Sequence, residues 1–168
     1  MSSDVVDGVS SVSAGATFVS MVGSALIGAR SVTLEVNNNT NKVLRRYPHG
    51  LHLDHGRFVR WPAAAIAPQG FDVFSAASKD PSVMTGTEGY VRYTLDDDHI
   101  RLMMTCGWDN PYFGDNRVRG RLDWPDAKAY VMFGFRGDGN TAAPFRFELF
   151  EASRFPDREG GKFYIEEA

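Results

Sequence analysis

The sequence predicts a mainly β protein, a β-sandwich that follows a separate N-terminal segment. Hydrophobic residues alternate with polar ones in short runs after residue 30, and clusters of Gly, Pro, Asn and Asp separate these runs. Few stretches beyond residue 30 repeat at the helical period of about 3.6 residues. The length of 168 residues suits one domain, and contents of 43% apolar and 23% charged residues are typical of a globular protein.

The clearest strand begins after Arg30, where Val32, Leu34 and Val36 alternate with polar residues as far as an Asn-rich turn at 37–39. Further strands are predicted at 51–60, 71–76, 89–95, 100–105, 117–122, 129–135, 145–151 and 162–166. Strands at this spacing are typical of two packed sheets. Short helical turns are predicted near 62–66 and 125–130.

Residues 1–29 are predicted to form an amphipathic helix ahead of a sandwich domain at 30–168. Apolar side chains recur near one helical face, and no charged residue lies between positions 8 and 29. Valine and glycine are poor helix formers, so this helix needs a surface that buries its apolar face. The predicted inserting face contains Val5, Val9, Val12, Phe18, Val19 and Leu26. A frayed Ser/Gly-rich leader is the alternative interpretation.

The start of the chain does not resemble a cleavable secretory signal. Asp4 and Asp7 stand where such a signal carries Lys or Arg. The serines that interrupt the apolar residues also argue against an ordinary transmembrane span. We therefore expect no signal peptide in this segment.

Charge, cysteine content and motifs exclude several classes of function. The chain has 18 Lys and Arg against 21 Asp and Glu, so no nucleic-acid partner is expected. The single cysteine, Cys106, forms neither an intrachain disulfide nor a Cys-rich zinc site. The sequence contains no nucleophile elbow, phosphate-binding Gly loop or HExxH helix. We therefore predict that the protein is not an enzyme and uses no cofactor.

Three histidines within seven residues raise the question of a metal site. His49, His52 and His55 stand beside Asp54, and His52 and Asp54 would share one strand face. The spacing matches no known metal motif, so we interpret the segment as a surface hairpin with solvated histidines and predict no metal. A metal-dependent site at these residues is the alternative hypothesis.

The stretch 105–116 (TCGWDNPYFGDN) holds three aromatic residues among turn formers. Exposed rings at Trp108, Tyr112 and Phe113 would suit a lipid headgroup layer, and such rings also surround a quaternary ammonium through cation–π attraction. The same rings could stack on sugars or close one end of the sandwich core. The residue types alone leave these three interpretations open.

The order of these features resembles the actinoporins, the sea-anemone pore-forming cytolysins, and their actinoporin-like relatives. The similar segments are a strand that ends in an Asn pair (32–38, VTLEVNN), a TG-x-x-G-x-x-x-Y segment (85–95, TGTEGYVRYTL) and the 105–116 stretch. Arg136, Gly137 and Asp138 resemble the RGD-bearing, cell-attachment-like segment of the family, and 155–167 resembles its closing strand. The likeness spans nearly the whole chain.

The resemblance implies an actinoporin-like β-sandwich of about ten strands flanked by two short helices. It implies a protein that is secreted as a soluble monomer and binds phosphocholine lipids such as sphingomyelin at a target-cell membrane. The N-terminal helix would then insert into a homo-oligomeric, haemolytic pore that conducts ions. The lipid-binding residues it implies are His49, Glu88, Thr105, Gly107, Trp108, Tyr112, Phe113 and Tyr130. The alternative function is a soluble lectin-like module that binds glycans, because fungal fruit-body lectins are similar in fold.

Overall fold

Two β-sheets pack against a shared hydrophobic core in the computed structural model. The structure describes residues 30–79, 85–95, 102–123, 129–135, 142–151 and 163–167, with the backbone alone at 129–135, 142–144, 150–151 and 163–167. The strands in these ranges are β1 (Ser31–Asn39), β2 (Leu44–His55), β3 (Arg57–Arg60), β4 (Ala65–Ile66), β5 (Phe71–Ala77), β6 (Thr87–Leu95), β7 (Met103–Asn110), β8 (Arg117–Asp123), β9 (Ala129–Phe135), β10 (Ala142–Glu151) and β11 (Phe163–Glu167).

Six strands form one sheet in the order β11-β9-β10-β1-β5-β3, and five form the other in the order β4-β2-β6-β7-β8. Strands β1 and β10 run parallel, and the other neighbouring pairs run antiparallel. The predicted fold class, mainly β with two sheets, is confirmed. Each run of alternating residues predicted as a strand overlaps a strand of the structure.

The predicted helices have a different outcome. The helical turn near 62–66 is wrong, because residues 65–66 extend as β4 and pair with the first residues of β2. Residues 129–130 of the second predicted turn belong to β9. The segment 1–29, the rest of the second turn, and Arg136, Gly137 and Asp138 lie outside the described residues. Within the described ranges there is no helix that is long and apolar enough to cross a membrane.

Alternation along β6, β7 and β8 decides which side chains form the core. Every second residue of these strands is buried, and the residues between them face outward. Large core side chains of the two sheets include Tyr93, Met104 and Trp108 on one and Leu34, Phe74 and Phe147 on the other. The outward residues of β6, β7 and β8 therefore form one continuous polar face on the five-stranded sheet.

Asn38 is a buried residue of β1, although the sequence predicts a turn at 37–39. Its Nδ2 donates hydrogen bonds to the carbonyl oxygens of Lys42 (2.7 Å) and Ala67 (3.0 Å). Its Oδ1 accepts one from Thr40 Oγ1 (2.7 Å). The side-chain amide thus satisfies backbone groups of the turns that follow β1 and β4, and β1 itself continues to Asn39.

Tyr93 in β6 is a buried tyrosine whose hydroxyl has no hydrogen-bond partner among the described residues. Burial raises the pKa of Tyr93 well above its usual range, and Cys106 and Asp72 raise it further. Burial likewise raises the pKa of the Cys106 thiol. The folded state therefore keeps the Tyr93 phenol neutral at pH values at which the unfolded chain ionises it. The stability that depends on this difference is fully present below about pH 10 and is lost as the pH rises further.

We therefore expect Tyr93→Phe to lose less folding stability than the wild type between about pH 9 and pH 12. At pH 7 the variant should be at least as stable, because an unpartnered buried polar group costs about 1–3 kcal/mol. Urea unfolding at a series of pH values measures both effects. Tyr47→Phe, at an exposed tyrosine, is the control and should follow the wild type. An unchanged alkaline loss in Tyr93→Phe would contradict this account.

Candidate functional site

The candidate site lies at one end of the five-stranded sheet, where β6 begins and β7 ends. Thr87 pairs with Asn110 there, and Glu88 pairs with Asp109. The Asn110 Nδ2 donates a 2.7 Å hydrogen bond to the carbonyl oxygen of Ser31, the first residue of β1. Because this bond is buried and joins the two sheets, the end of the sandwich is held in a fixed geometry.

A cleft of about 270 Å³ opens at this end, and we call it the end cleft. It is lined by His55, Thr85, Gly86, Thr87, Glu88, Asp109, Pro111 and Tyr112. The two carboxylates lie on neighbouring strands, and His55 Nδ1 lies 3.7 Å from Glu88 Oε2. A Cβ at Gly86 would collide with the carbonyl oxygen of Asn110, so the approach of the chain here requires glycine. Negative charge beside an aromatic ring is a combination that binds a quaternary ammonium.

Two aromatic side chains of the loop after β7 border the end cleft. Phe113 is 77% exposed, more than any other large hydrophobic side chain among the described residues. The Tyr112 ring contacts it at a centroid distance of 4.9 Å, with the two rings nearly perpendicular. This aromatic pair gives the end of the sandwich an exposed apolar rim.

Arg30 joins the start of β1 to this aromatic pair. Its Nη2 donates a 2.7 Å hydrogen bond to the carbonyl oxygen of Tyr112, and its guanidinium carbon lies 5.5 Å from the centre of the Tyr112 ring. The carbonyl oxygen of Arg30 accepts a hydrogen bond from the backbone N–H of Ser78. The chain therefore enters the sandwich beside the loop that carries Phe113.

A second depression of about 290 Å³ lies on the outer face of the same sheet, and we call it the face groove. It shares Glu88 and Asp109 with the end cleft. The remaining lining residues are Asp54, Gly89, Tyr90, Thr105, Gly107, Trp108, Arg117, Arg119 and Arg121. The two depressions are therefore adjacent, with acidic side chains at their common boundary.

The structure brings together five of the eight residues that the resemblance implies for lipid binding. Glu88 and Tyr112 line the end cleft, while Thr105, Gly107 and Trp108 line the face groove together with Glu88. All five belong to β6, β7 or the loop that follows β7. Their role in lipid binding stays a prediction.

The other three residues have different positions. Phe113 lies on the rim, in contact with Tyr112. His49 is exposed on β2 and lines neither depression. The backbone of Tyr130 is part of β9 in the six-stranded sheet, whereas Thr105 belongs to the five-stranded sheet.

Trp108 is a core residue, so the prediction that it is an exposed loop residue is wrong. It belongs to β7, where even-numbered residues point inward, and it is only 3% exposed. Its ring packs edge-on against Phe58 and Phe74 at centroid distances of 6.1 and 5.9 Å. Its indole Nε1 donates a 3.3 Å hydrogen bond to Thr87 Oγ1. For Trp108, the interpretation that the aromatic residues close the core is correct.

The histidine-rich segment forms part of β2. His52 Nε2 lies 3.0 Å from Asp54 Oδ1, and both side chains are half exposed. His55 faces Glu88 at the end cleft. Among the described residues, no three His, Cys, Asp or Glu side chains are grouped so that they could hold a metal ion.

The arginines of β8 and Tyr90 line the face groove but were not among the predicted site residues. Arg117, Arg119 and Arg121 alternate with buried residues, so all three project from the outer face of the sheet. The signal was present as the alternation RVRGRL in a segment already predicted as a strand. Tyr90 lies on the same face, one strand beyond β7.

No protein-family model and no curated protein matches this sequence. Among solved structures, the chain resembles the lipid binding protein Nakanori, with a TM-score of 0.65 and 17% identity over 81% of this chain and 78% of that chain. It also resembles IP-1A from Alcaligenes faecalis, with a TM-score of 0.58 and 15% identity over 74% and 94% of the two chains. For RahU in complex with Tris, the TM-score is 0.55 and the identity 14%, over 77% and 98%.

These likenesses define the class of protein by fold alone. The chain is a two-sheet β-sandwich that resembles the lipid binding protein Nakanori, and this supports the predicted actinoporin-like fold family. At such low identity the likeness does not extend to a particular cytolysin.

Trp108→Ala is expected to lower the free energy of unfolding by about 3–5 kcal/mol, because it empties a packed aromatic site in the core. Trp61→Ala is the matched control. The Trp61 ring is 64% exposed, so its removal should cost less than about 1 kcal/mol. Urea unfolding followed by circular dichroism measures both variants. Equal and small losses would contradict the core position of Trp108.

Proposed function

We propose that this protein binds membrane lipids with a phosphocholine headgroup, such as sphingomyelin, through the end cleft and the 111–116 loop. The observation that carries the proposal is the contact of exposed Phe113 with half-buried Tyr112, beside a cleft lined by two carboxylates. The fold likeness to a lipid binding protein supports the same class of ligand. We further propose that the protein is not an enzyme and is secreted as a soluble monomer.

The end cleft offers complementary groups for a zwitterionic headgroup. A choline ammonium would lie against the carboxylates of Glu88 and Asp109 and the ring of Tyr112, where both Coulomb and cation–π attraction favour a cation. The phosphate, one short linker away, would face Arg117, which pairs with Asp109 in the strand ladder. Both signs of charge are thus available at adjacent positions.

Phe113 supplies the contact with the apolar part of the membrane. Burying a fully exposed Phe side chain contributes about 1.5–3 kcal/mol, which gives only weak and reversible attachment for one ring. Headgroup binding must therefore act together with the ring. Self-association on the membrane would raise the affinity further, because each additional copy binds at a high effective concentration.

We propose in addition that residues 1–29 insert into the membrane and line a homo-oligomeric pore. Arg30 supports this step, because it attaches the start of the sandwich to the same loop that would contact lipid. A choline ammonium bound to the Tyr112 ring would compete with the Arg30 guanidinium for that ring. Headgroup binding would then weaken the junction and favour release of the N-terminal segment.

Phe113→Ala should reduce pelleting with sphingomyelin/phosphatidylcholine vesicles by about tenfold to a hundredfold, because the variant loses one interfacial ring. Phe71→Ala is the matched control: Phe71 is 60% exposed, but it lies at the far end of β1, opposite Asn37. The control should pellet like the wild type. Failure of the wild type to pellet, or equal losses in both variants, would contradict lipid binding through this end.

Val12→Asp should abolish dye release from the same vesicles while pelleting stays unchanged, because a charge on the apolar face prevents insertion. Ser13→Asp places the same charge at a neighbouring position away from the predicted inserting face, and it should retain a substantial part of the release. Undiminished release by Val12→Asp would show that this face does not insert. Pelleting of the wild type without any release would overturn the pore and leave lipid binding intact.

A further inference from the structure

The face groove carries more positive charge than the proposed headgroup site uses, since that site involves only Arg117. Arg117, Arg119 and Arg121 are all exposed on the outer face of β8. The Arg121 Nη2 lies 2.7 Å from Asp123 Oδ1. The side chains of Arg117 and Arg119 have no ion pair or hydrogen bond with any described residue. Two guanidiniums on neighbouring outward positions, with no acidic partner in the described part of the chain, attract an anion even at a net charge of −3.

Gly107 lines the face groove between Tyr90 and Arg119. In the ladder it pairs with Tyr90 on one side and with Arg119 on the other. A Cβ built at Gly107 would find no atom closer than 3.6 Å, so a side chain at this position would fit without a collision. The strand positions of Tyr90 and Arg119 are therefore separated by a residue that has no side chain.

The Tyr90 ring is held in position by its neighbours. The His52 ring lies at a centroid distance of 5.4 Å, and the guanidinium carbon of Arg92 lies 4.5 Å from the centre of the Tyr90 ring. His52 belongs to β2 and Arg92 to β6, and the residue of β7 that pairs with Tyr90 is Gly107, which has no side chain. A ring held next to a glycine is suited to packing against a ligand.

The arginines farther along β8 lie beyond the reach of a headgroup held at Phe113. Strand β8 leaves the 111–116 loop at Arg117, and at about 3.3 Å per residue Arg119 and Arg121 lie about 7 and 13 Å farther away. The carboxylates of the groove, Asp54, Glu88 and Asp109, are at its loop end. An anion is therefore directed to the half of the groove that is distant from the proposed membrane contact.

We propose that the face groove is a second binding site, for an acidic sugar: a hexose ring that carries a sulfate or phosphate monoester. The C–H face of the sugar packs on Tyr90 above Gly107, and the oxyanion accepts hydrogen bonds from Arg119 and a neighbouring arginine of β8. A planar guanidinium matches such an oxyanion in bidentate geometry. The groove volume of about 290 Å³ suits a small ligand. This site goes beyond the proposed headgroup binding and uses a different ligand.

Calorimetric titration with a heparin-derived tetrasaccharide, in the absence of lipid, tests the site. The wild type should bind the sulfated sugar and show no binding of its desulfated form. Arg119→Gln should weaken binding by about tenfold or more, because a charge-assisted pair is lost. Gly107→Val should weaken it to a similar degree without any change of charge, because the side chain fills the groove. Arg57→Gln, at an exposed arginine of β3 in the other sheet, is the control and should stay within about twofold of the wild type.

Equal weakening by Arg57→Gln and Arg119→Gln would overturn the proposal, because the attraction would then come from overall charge. Full binding by Gly107→Val, or equally tight binding of inorganic sulfate, would overturn it as well. Because no membrane is present, these results do not depend on whether the protein pellets with vesicles. Once sugar binding is established, a gain in Arg119-dependent pelleting on adding sulfatide to phosphatidylcholine vesicles identifies a glycolipid as the source, and no gain identifies a soluble or protein-linked glycan.

Discussion

The inward orientation of Trp108 is the constraint on which the candidate site depends. Its ring fills the core between the sheets, against Phe58 and Phe74, and its indole N–H is satisfied by Thr87. A Cβ at Gly89, the ladder partner of Trp108, would lie 3.0 Å from the indole, so the missing side chain at Gly89 makes room for the ring. Because strand side chains alternate, an inward residue 108 turns residues 107 and 109 outward. A slip of one residue in β7 would exchange the core and the binding face.

The outward residues set by this register form two chemically distinct depressions side by side. The end cleft combines carboxylates with the Tyr112 ring, and the face groove combines arginines with the Tyr90 ring. Glu88 and Asp109 separate the two, so a cation is favoured toward the 111–116 loop and an anion toward Arg119. Since Arg30 contacts Tyr112, the start of the sandwich domain is linked to the cleft end. The proposed lipid contact, the proposed sugar contact and the N-terminal junction thus occupy different parts of the sandwich surface.

Period-two alternation made most of the sandwich predictable, including both β6 and β8, because half-buried strands leave that pattern directly in the sequence. It could not supply the end of β7: Asn110 and Pro111 suggested a loop beginning at residue 105, whereas tertiary packing of Trp108 extends the strand to Asn110. Asn38 was predicted as a turn residue from its propensity, but it is a buried residue of β1 whose amide donates a hydrogen bond to the turn that follows. The site was predictable only in part. Glu88 and Tyr112 were predicted because they lie in the family-like segments 85–95 and 105–116. The face groove depends on the strand pairing of Tyr90, Gly107 and Arg119, which no local sequence pattern encodes.

The most direct test of lipid binding through this end is hydrogen–deuterium exchange of the wild-type protein with and without sphingomyelin/phosphatidylcholine vesicles. We expect slower exchange of the backbone amides of residues 112–116 and 85–87 when vesicles are present. We expect no change in the exchange rates of the loops at 40–43 and 67–70, which lie at the opposite end of the sandwich. Protection of those opposite loops instead, or vesicle binding without any protection at 111–116, would contradict the assignment of this end as the lipid-binding surface.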